Sequence, residues 1–181
     1  MNDNLILDDD FNSDGKDRIH VDLLTKYNFI ILYFLTFGLY GSYWQYKTWT
    51  FFKQRQNLDI WPIPRAIFAI FFIYSLFEKI LAFAKYNEVS KTYSSGGLFA
   101  LFAVLTYGAD KLPEPLFLLS LLAVFAYLQP INVFNLAMIN SDDFDAKYLE
   151  GFTQKQLILI VCGVIFWLLL ILGLLPGTTE F

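Results

Sequence analysis

Long apolar runs, separated by short polar and charged segments, dominate the chain from residue 26 onwards. An α-helix rises about 1.5 Å per residue, so about twenty apolar residues are enough to cross a bilayer. The pattern therefore predicts an all-α fold: a polytopic helical membrane protein with four to five transmembrane helices in a domain of residues 26–176. The predicted spans are residues 27–46, 65–84, 96–112, 115–139 and 157–175.

The third run leaves the number of spans open. Its apolar part, GGLFALFAVLTY at residues 96–107, is about 18 Å long as a helix, which is short for a crossing. It is either a short tilted span that continues to residue 112 or a half-span. The choice decides whether the two ends of the chain lie on the same side of the membrane.

Residues 1–25 form an acidic soluble segment before the first span. The first 26 residues hold seven aspartates and three basic residues, a composition typical of a disordered tail. Asp10, Asn12 and Asp14 have the alternate spacing of oxygen ligands in a calcium loop, but Val21 stands where such a loop needs its bidentate acid. The segment is either a weak calcium candidate or, as we expect, a disordered acidic tail.

Composition narrows the class of protein. Of the whole chain, 56% is hydrophobic and 17% is charged, whereas a soluble domain is nearer a quarter charged. There is no basic surface for nucleic acid, and we expect no cleaved signal peptide. The single histidine, His20, and the single cysteine, Cys162, cannot supply a catalytic triad or a zinc site. We therefore expect neither a cofactor nor catalysis.

The first predicted span combines glycines with a cluster of aromatic residues. Gly38 and Gly41 are expected to allow another helix to approach closely; the alternative is a break that makes the segment re-entrant. The aromatic residues at the end of the span are expected to anchor the helix in the headgroup region. They are Tyr40, Tyr43, Trp44, Tyr46 and Trp49.

A basic loop is predicted between the first two spans. Its basic residues are Lys47, Lys53, Arg55 and Arg65, and the positive-inside rule places such a loop in the cytoplasm. Pro62 and Pro64 exclude one continuous helix through this region, and they are suited to start a new one.

Two groups of polar residues lie inside predicted spans. Glu78 and Lys79 follow an uncharged run in the second span, and either the membrane ends near Glu78 or this acid has a function. In the fourth span Gln129, Asn132 and Asn135 recur every third residue, which predicts one polar face. These amides either bond neighbouring helices or line a polar path.

Four segments carry a resemblance to a known group. They are LTFGLYGSYWQYKTW at residues 35–49, RAIFAIFFIYSLF at 65–77, LPEPLFLLSLL at 112–122 and FWLLLILGLLP at 166–176. Together they resemble a group of uncharacterised small bacterial inner-membrane proteins that carry FG-x-Y-x-x-YW-x-YK-x-W at the end of their first span. The resemblance implies a multi-pass fold in the bacterial inner membrane, and it carries no activity with it.

Two functions are consistent with these features. The first is a non-catalytic membrane protein that binds a partner protein in or at the bilayer, as a regulator, an assembly factor or a toxin-immunity protein does. The alternative is a small oligomeric transporter or channel that uses Glu78 and the polar face of the fourth span. Small size and the absence of a catalytic constellation favour the first.

Overall fold

A computed structural model of the chain describes residues 18–113 and 116–174. Of the described residues, 73% are helical, which confirms the all-α class. The elements among the described residues are β1 (Ile19–Leu23), α1 (Lys26–Leu35), α2 (Leu39–Arg55), α3 (Pro62–Ile67), α4 (Ala69–Tyr86), α5 (Ser95–Ala103), α6 (Phe125–Asn140), β2 (Phe144–Tyr148) and α7 (Gln154–Leu174). Helix α5 continues through a π-helical turn at Val104–Gly108 and a 3-10 turn at Ala109–Lys111, and a 3-10 segment at Leu116–Val124 leads into α6.

A two-stranded parallel sheet joins distant parts of the chain. β1 pairs with β2 from Ile19 opposite Phe144 to Leu23 opposite Tyr148. The side chain of Val21, in the middle of β1, is fully buried. The prediction of a disordered tail is therefore wrong for residues 19–23. Their alternation of apolar and polar side chains is too short to stand out in sequence, and the partner strand lies more than a hundred residues away.

The first predicted span is two helices rather than one. α1 ends at Leu35, Gly38 adopts a left-handed φ of +83°, and α2 begins at Leu39. The Thr36 hydroxyl donates to the Leu32 carbonyl at 2.7 Å and accepts from the Tyr40 N–H at 2.9 Å, so it serves both helix ends. Of the two interpretations, the break is correct at Gly38.

The other interpretation, close approach of a second helix, is correct at Gly41, because a Cβ there would lie 2.8 Å from the ring of Tyr33 on α1. The second predicted span is also divided, since the backbone at Phe68 leaves the helical conformation between α3 and α4. Helix α2 continues to Arg55, so Lys47, Lys53 and Arg55 lie on a helix and not in a loop as predicted.

Two helical segments of the described chain are long and apolar enough to cross a membrane: Leu116–Asn140 and Gln154–Gly173. They differ in their surroundings. Within the most apolar window of each, 44% of the first is buried inside the protein but only 6% of the second. The first is thus a core helix of the bundle, and the second lies on its outside.

The core is built around the ring of Tyr127 on α6, which is 2% exposed. Rings from α1, α2, α4 and α5 surround it at centroid distances of 5.6–6.5 Å. We call this set the Tyr127 cluster: Tyr127, Phe29, Tyr33, Trp44, Phe77 and Phe102. A second group of rings, nearer the sheet, is formed by Phe51, Phe52, Phe83, Phe134 and Phe144.

Helix α7 packs on α1 through a narrow contact. Trp167 Nε1 donates to the Phe34 carbonyl at 3.0 Å, and the Phe37 ring lies 4.8 Å from that of Trp167. Gly163 is buried at the closest approach, where a Cβ would lie 2.6 Å from the Leu35 carbonyl oxygen. Only a residue without a side chain permits this spacing.

Gly163→Ala is therefore expected to push α7 away from α1. Overpacking of this kind costs about 1–3 kcal/mol, and the Leu35 backbone carbonyl cannot rotate out of the way as a side chain does. Thermal unfolding of the purified protein in detergent measures the effect.

The matched control is Gly173→Ala on the same helix, where a Cβ would meet nothing within 4 Å. Because alanine is the better helix former by about 1 kcal/mol, this change should leave the unfolding temperature equal or raise it slightly. Equal effects of the two substitutions would contradict the close approach at Gly163.

Candidate functional site

Helix α7 presents a continuous apolar surface to the outside of the protein. Eleven of its large apolar side chains are 39–64% exposed, and no charged residue interrupts residues 156–174. The exposed set is Leu157, Ile158, Leu159, Val161, Val164, Ile165, Phe166, Leu168, Leu169, Ile171 and Leu172. A monomeric soluble protein rarely exposes an apolar patch of this extent.

The side chains of α7 divide into an inner stripe and an outer stripe. The inner stripe contains Gly163, which is buried, and Ile160 and Trp167, which are half-buried against α1 and the core. Steps of three and four residues around the helix place Val161, Ile165 and Leu168 on the opposite side. We call these three residues the outer stripe; they are 58%, 52% and 57% exposed.

Charged residues gather at the end of the bundle where the sheet lies. Arg55 Nη2 binds Asp143 Oδ2 at 2.8 Å, and its guanidinium lies 5.0 Å from the Phe83 ring and 5.4 Å from the Phe144 ring. Arg18 and Asp142 form a looser pair at 3.5 Å. Arg55 thus ties the end of α2 to the start of β2.

The imidazole of His20 lies among acids at the same end. It is 3.4 Å from Asp145 and 3.6 Å from Asp22, and Lys147 also binds Asp145 at 3.0 Å. The hydrogen bond from Lys147, followed by that from His20, lowers the pKa of Asp145 below its ordinary value. Within residues 18–113 and 116–174 no group of three or more His, Cys, Asp or Glu side chains is placed to hold a metal ion.

The calcium candidates Asp10, Asn12 and Asp14 lie outside the described residues. The calcium interpretation therefore stays a prediction.

The predicted basic residues have separate environments. Lys47 lies 5.7 Å from the Tyr43 ring, and Arg65 is held between the rings of Trp49 and Phe72 at 4.6 Å and 4.9 Å. Together with the ion pair of Arg55, these contacts show that Lys47, Arg55 and Arg65 pack against their own protein. The prediction that the patch faces the cytoplasm stays a prediction.

Three of the five predicted membrane anchors are core residues. Tyr40 and Trp44 are each 6% exposed and Trp49 is fully buried, whereas Tyr43 is 47% exposed and Tyr46 is half-buried. The anchor interpretation is therefore wrong for the first three. An aromatic belt and an aromatic core have the same composition, and only the packing of α2 against α1, α4 and α6 separates them.

Glu78 lies on the outside of α4. The buried residues of this helix, among them Leu76, Ile80 and Phe83, share one face, and helical geometry places Glu78 roughly opposite. Burial is the main cause that raises the pKa of Tyr93 above its ordinary value, and the negative charge of Glu78 is a smaller one. Glu78 is exposed, while Lys79 Nζ donates to Gln56 Oε1 at 2.9 Å at the end of α2.

The three amides of the fourth predicted span do not share one environment. Asn135 is buried and donates to the Leu24 carbonyl at 2.9 Å, Asn132 is half-buried and Gln129 is exposed. The predicted single polar face is wrong, because two steps of three residues turn a helix by about 120° from its starting direction. The structure does not bring these amides together with Glu78.

One buried polar pair was not singled out from the sequence. Gln45 on α2 is fully buried and donates from Nε2 to the Tyr127 hydroxyl at 2.8 Å. The available signal was an uncharged amide in an aromatic stretch, YWQY at residues 43–46. Such a residue has no obvious partner in sequence, since Tyr127 is 82 positions away.

Arg55→Ala is expected to lower the free energy of unfolding by about 1–2 kcal/mol, since it removes two ring contacts and an ion pair. The free energy of unfolding of Arg55→Lys should lie between those of the wild type and Arg55→Ala, because an ammonium keeps the charge but loses the planar stacking. Thermal unfolding in detergent measures both.

Arg18→Ala provides the matched control at the same end of the bundle, since its pair with Asp142 has side chains 43% and 100% exposed. Its loss should cost less than about 0.5 kcal/mol. An equal loss in Arg18→Ala and Arg55→Ala would mean that Arg55 does not fix β2 to α2.

Comparison of the chain with known protein families, with curated proteins and with solved structures gave no match. The functional proposal therefore depends on the chain's own residues and their geometry.

Proposed function

We propose that this chain is a multi-pass protein of the bacterial inner membrane that binds a partner protein in the bilayer and has no catalytic activity of its own. The observation that carries the proposal is the exposed apolar surface of α7. Helix α7 contacts the lipid bilayer, and its outer stripe also binds a second membrane protein. The chain performs its function through this second protein.

Burial supports the membrane location. Apolar surface exposed to water costs about 25 cal/mol per Å², so a helix with eleven large exposed apolar side chains is unstable in water. The core helix of a soluble protein is mostly buried, and a signal sequence lies near the start of a chain. α7 is only 6% buried over its apolar window and occupies residues 154–174, so it fits neither.

Exposed apolar side chains on other helices support a multi-pass arrangement. Ile67, Phe68 and Phe71 are 56–74% exposed along α3 and α4, and Val104 and Phe125 are 68% and 52% exposed elsewhere on the bundle. The ion pairs of Arg18, Arg55 and Lys147, in contrast, all lie at the sheet end. This distribution suits an apolar body in lipid with one polar end in water.

The partner hypothesis is favoured over transport by the positions of the polar residues. A transport path needs its polar groups to face a shared interior, but Glu78 faces outward and Asn135 is already bonded within the protein. The outer stripe, in contrast, has the spacing of a helix-packing surface. Its residues recur at intervals of four and three positions, as they do where two helices pack side by side.

Site-specific photo-crosslinking in native membranes tests the proposal. A photoreactive residue at Val161, Ile165 or Leu168 should give one protein adduct, while the same residue at Ile160 of the inner stripe should give none. Glu78→Gln should leave the adduct unchanged, because Glu78 has no part in the proposed contact.

Lipid adducts at every exposed position of α7, without a protein adduct, would overturn partner binding along α7. Loss of the protein adduct in Glu78→Gln would instead mean that the Glu78 carboxylate is needed for partner binding.

A further inference from the structure

Arg65 differs from the other described arginines in its partners. Arg18 and Arg55 each form an ion pair with an aspartate. Arg65 forms no ion pair and no hydrogen bond with any described residue, and its guanidinium lies over the rings of Trp49 at 4.6 Å and Phe72 at 4.9 Å. These rings fix the position of the charge without engaging its N–H donors.

The nitrogens of Arg65 are open to the surface. The side chain is half-buried, and none of its nitrogens belongs to the buried side-chain atoms that lack a hydrogen bond in the described part of the chain. Because these nitrogens have no partner in the protein and yet are not buried, a ligand can reach them from outside. A guanidinium presents its N–H groups as a planar fork that matches the oxygens of a phosphate or a carboxylate.

An open apolar groove of about 330 Å³ lies between α2 and α3. It is lined by Ser42, Tyr46, Ile63, Ala66 and Ile67. Ile63 and Ile67, on the rim of the groove, are 59% and 70% exposed. In the membrane location that we propose, on which this inference rests, an apolar surface of this kind is covered by acyl chains and not by water.

The guanidinium and the groove follow one another along α2. Tyr46 and Ser42 precede Trp49 by three and seven positions, which is about one and two turns of helix. Arg55, at the end of the same helix, lies with its ion pair at the sheet end. The charge of Arg65 therefore lies between the polar end of the bundle and the groove, as a headgroup lies between water and its acyl chains.

Two further features favour an anionic headgroup. Residues 39–67 hold four basic residues and one acid, Asp59, so the balance of charge in this part of the chain is positive. Trp61 immediately precedes α3, one helical turn before Arg65, and is 76% exposed. Exposed tryptophans are typical of the headgroup level of a bilayer.

We propose that Arg65 and this groove bind one phospholipid with an anionic headgroup. The phosphate accepts hydrogen bonds from the Arg65 guanidinium, and an acyl chain lies in the groove against Ile63 and Ile67. A zwitterionic lipid brings the same phosphate and chains, but it binds more weakly because its headgroup also places a positive charge near the guanidinium. An acidic side chain of another protein is the competing partner of Arg65.

The first experiment titrates the full chain in detergent with dioleoylphosphatidylglycerol, which is anionic, or dioleoylphosphatidylcholine, which has the same chains and is zwitterionic. Native mass spectrometry resolves the first bound lipid and gives its apparent Kd. Phosphatidylglycerol should bind about tenfold more tightly, because its hydrogen bonds to the guanidinium are charge-assisted and unopposed. Glycerol 3-phosphate, the headgroup without chains, should not bind in the same concentration range, because it leaves the groove empty.

The second experiment repeats the titrations with three variants. Arg65→Gln should reduce the preference for phosphatidylglycerol from about tenfold to near unity. Arg18→Gln is the matched control, because it removes the same charge from an exposed pair at the sheet end, and it should keep the preference. Ile67→Gln retains Arg65 and places a polar group on the rim of the groove, so it should weaken both lipids and leave their ratio unchanged.

Two outcomes would overturn the proposal. Equal affinities of the wild-type protein for the two lipids would leave Arg65 to an acidic group of another protein, and this result stands even if Arg65→Gln fails to fold. An equal loss of preference in Arg65→Gln and Arg18→Gln would assign the preference to the net charge of the chain. A chain that stays monomeric in buffer without detergent would instead overturn the membrane location itself.

Discussion

The packing of rings around Tyr127 is the interaction on which the bundle depends. In the membrane location that we propose, helices gain little from the hydrophobic effect, since the lipid tails are as apolar as the side chains, and close packing holds the helices together. The Tyr127 ring contacts rings from α1, α2, α4 and α5 at once. Each such pair contributes about 0.5–1.5 kcal/mol beyond its buried area, so one side chain on α6 couples four other helices.

The parallel sheet adds a constraint that the rings do not supply. β1 leads into α1 and β2 leads into α7, so pairing of the strands starts these two helices side by side. The helices then meet at Gly163, and Arg55 fixes β2 to the end of α2. A helix as apolar as α7 would otherwise be free to leave the bundle, because its own contact with α1 is narrow.

Sequence patterns located the helices better than they located the contacts. All five predicted spans are helical over most of their described length, since apolar runs are a local property. The strand at Ile19–Leu23 was missed because its partner strand is distant in sequence. The break at Gly38 was only the alternative interpretation, because a glycine in an apolar run fits close helix packing equally well. The residues of the FG-x-Y-x-x-YW-x-YK-x-W segment illustrate this. Gly38 makes the turn, Gly41 contacts Tyr33, and Trp44 and Trp49 are buried, so much of the segment specifies a fold.

Gln45 is the residue of that segment that the fold alone does not explain. An open amide group in a buried position costs about 1–3 kcal/mol, and a leucine would avoid this cost. A buried polar pair can be retained because it fixes the register of two helices. Here the ring of Trp44, 5.9 Å from that of Tyr127, already sets α2 against α6 one residue away. The amide is therefore not needed for register, and its hydrogen bond to the Tyr127 hydroxyl adds a specific polar link between α2 and α6 inside an apolar core.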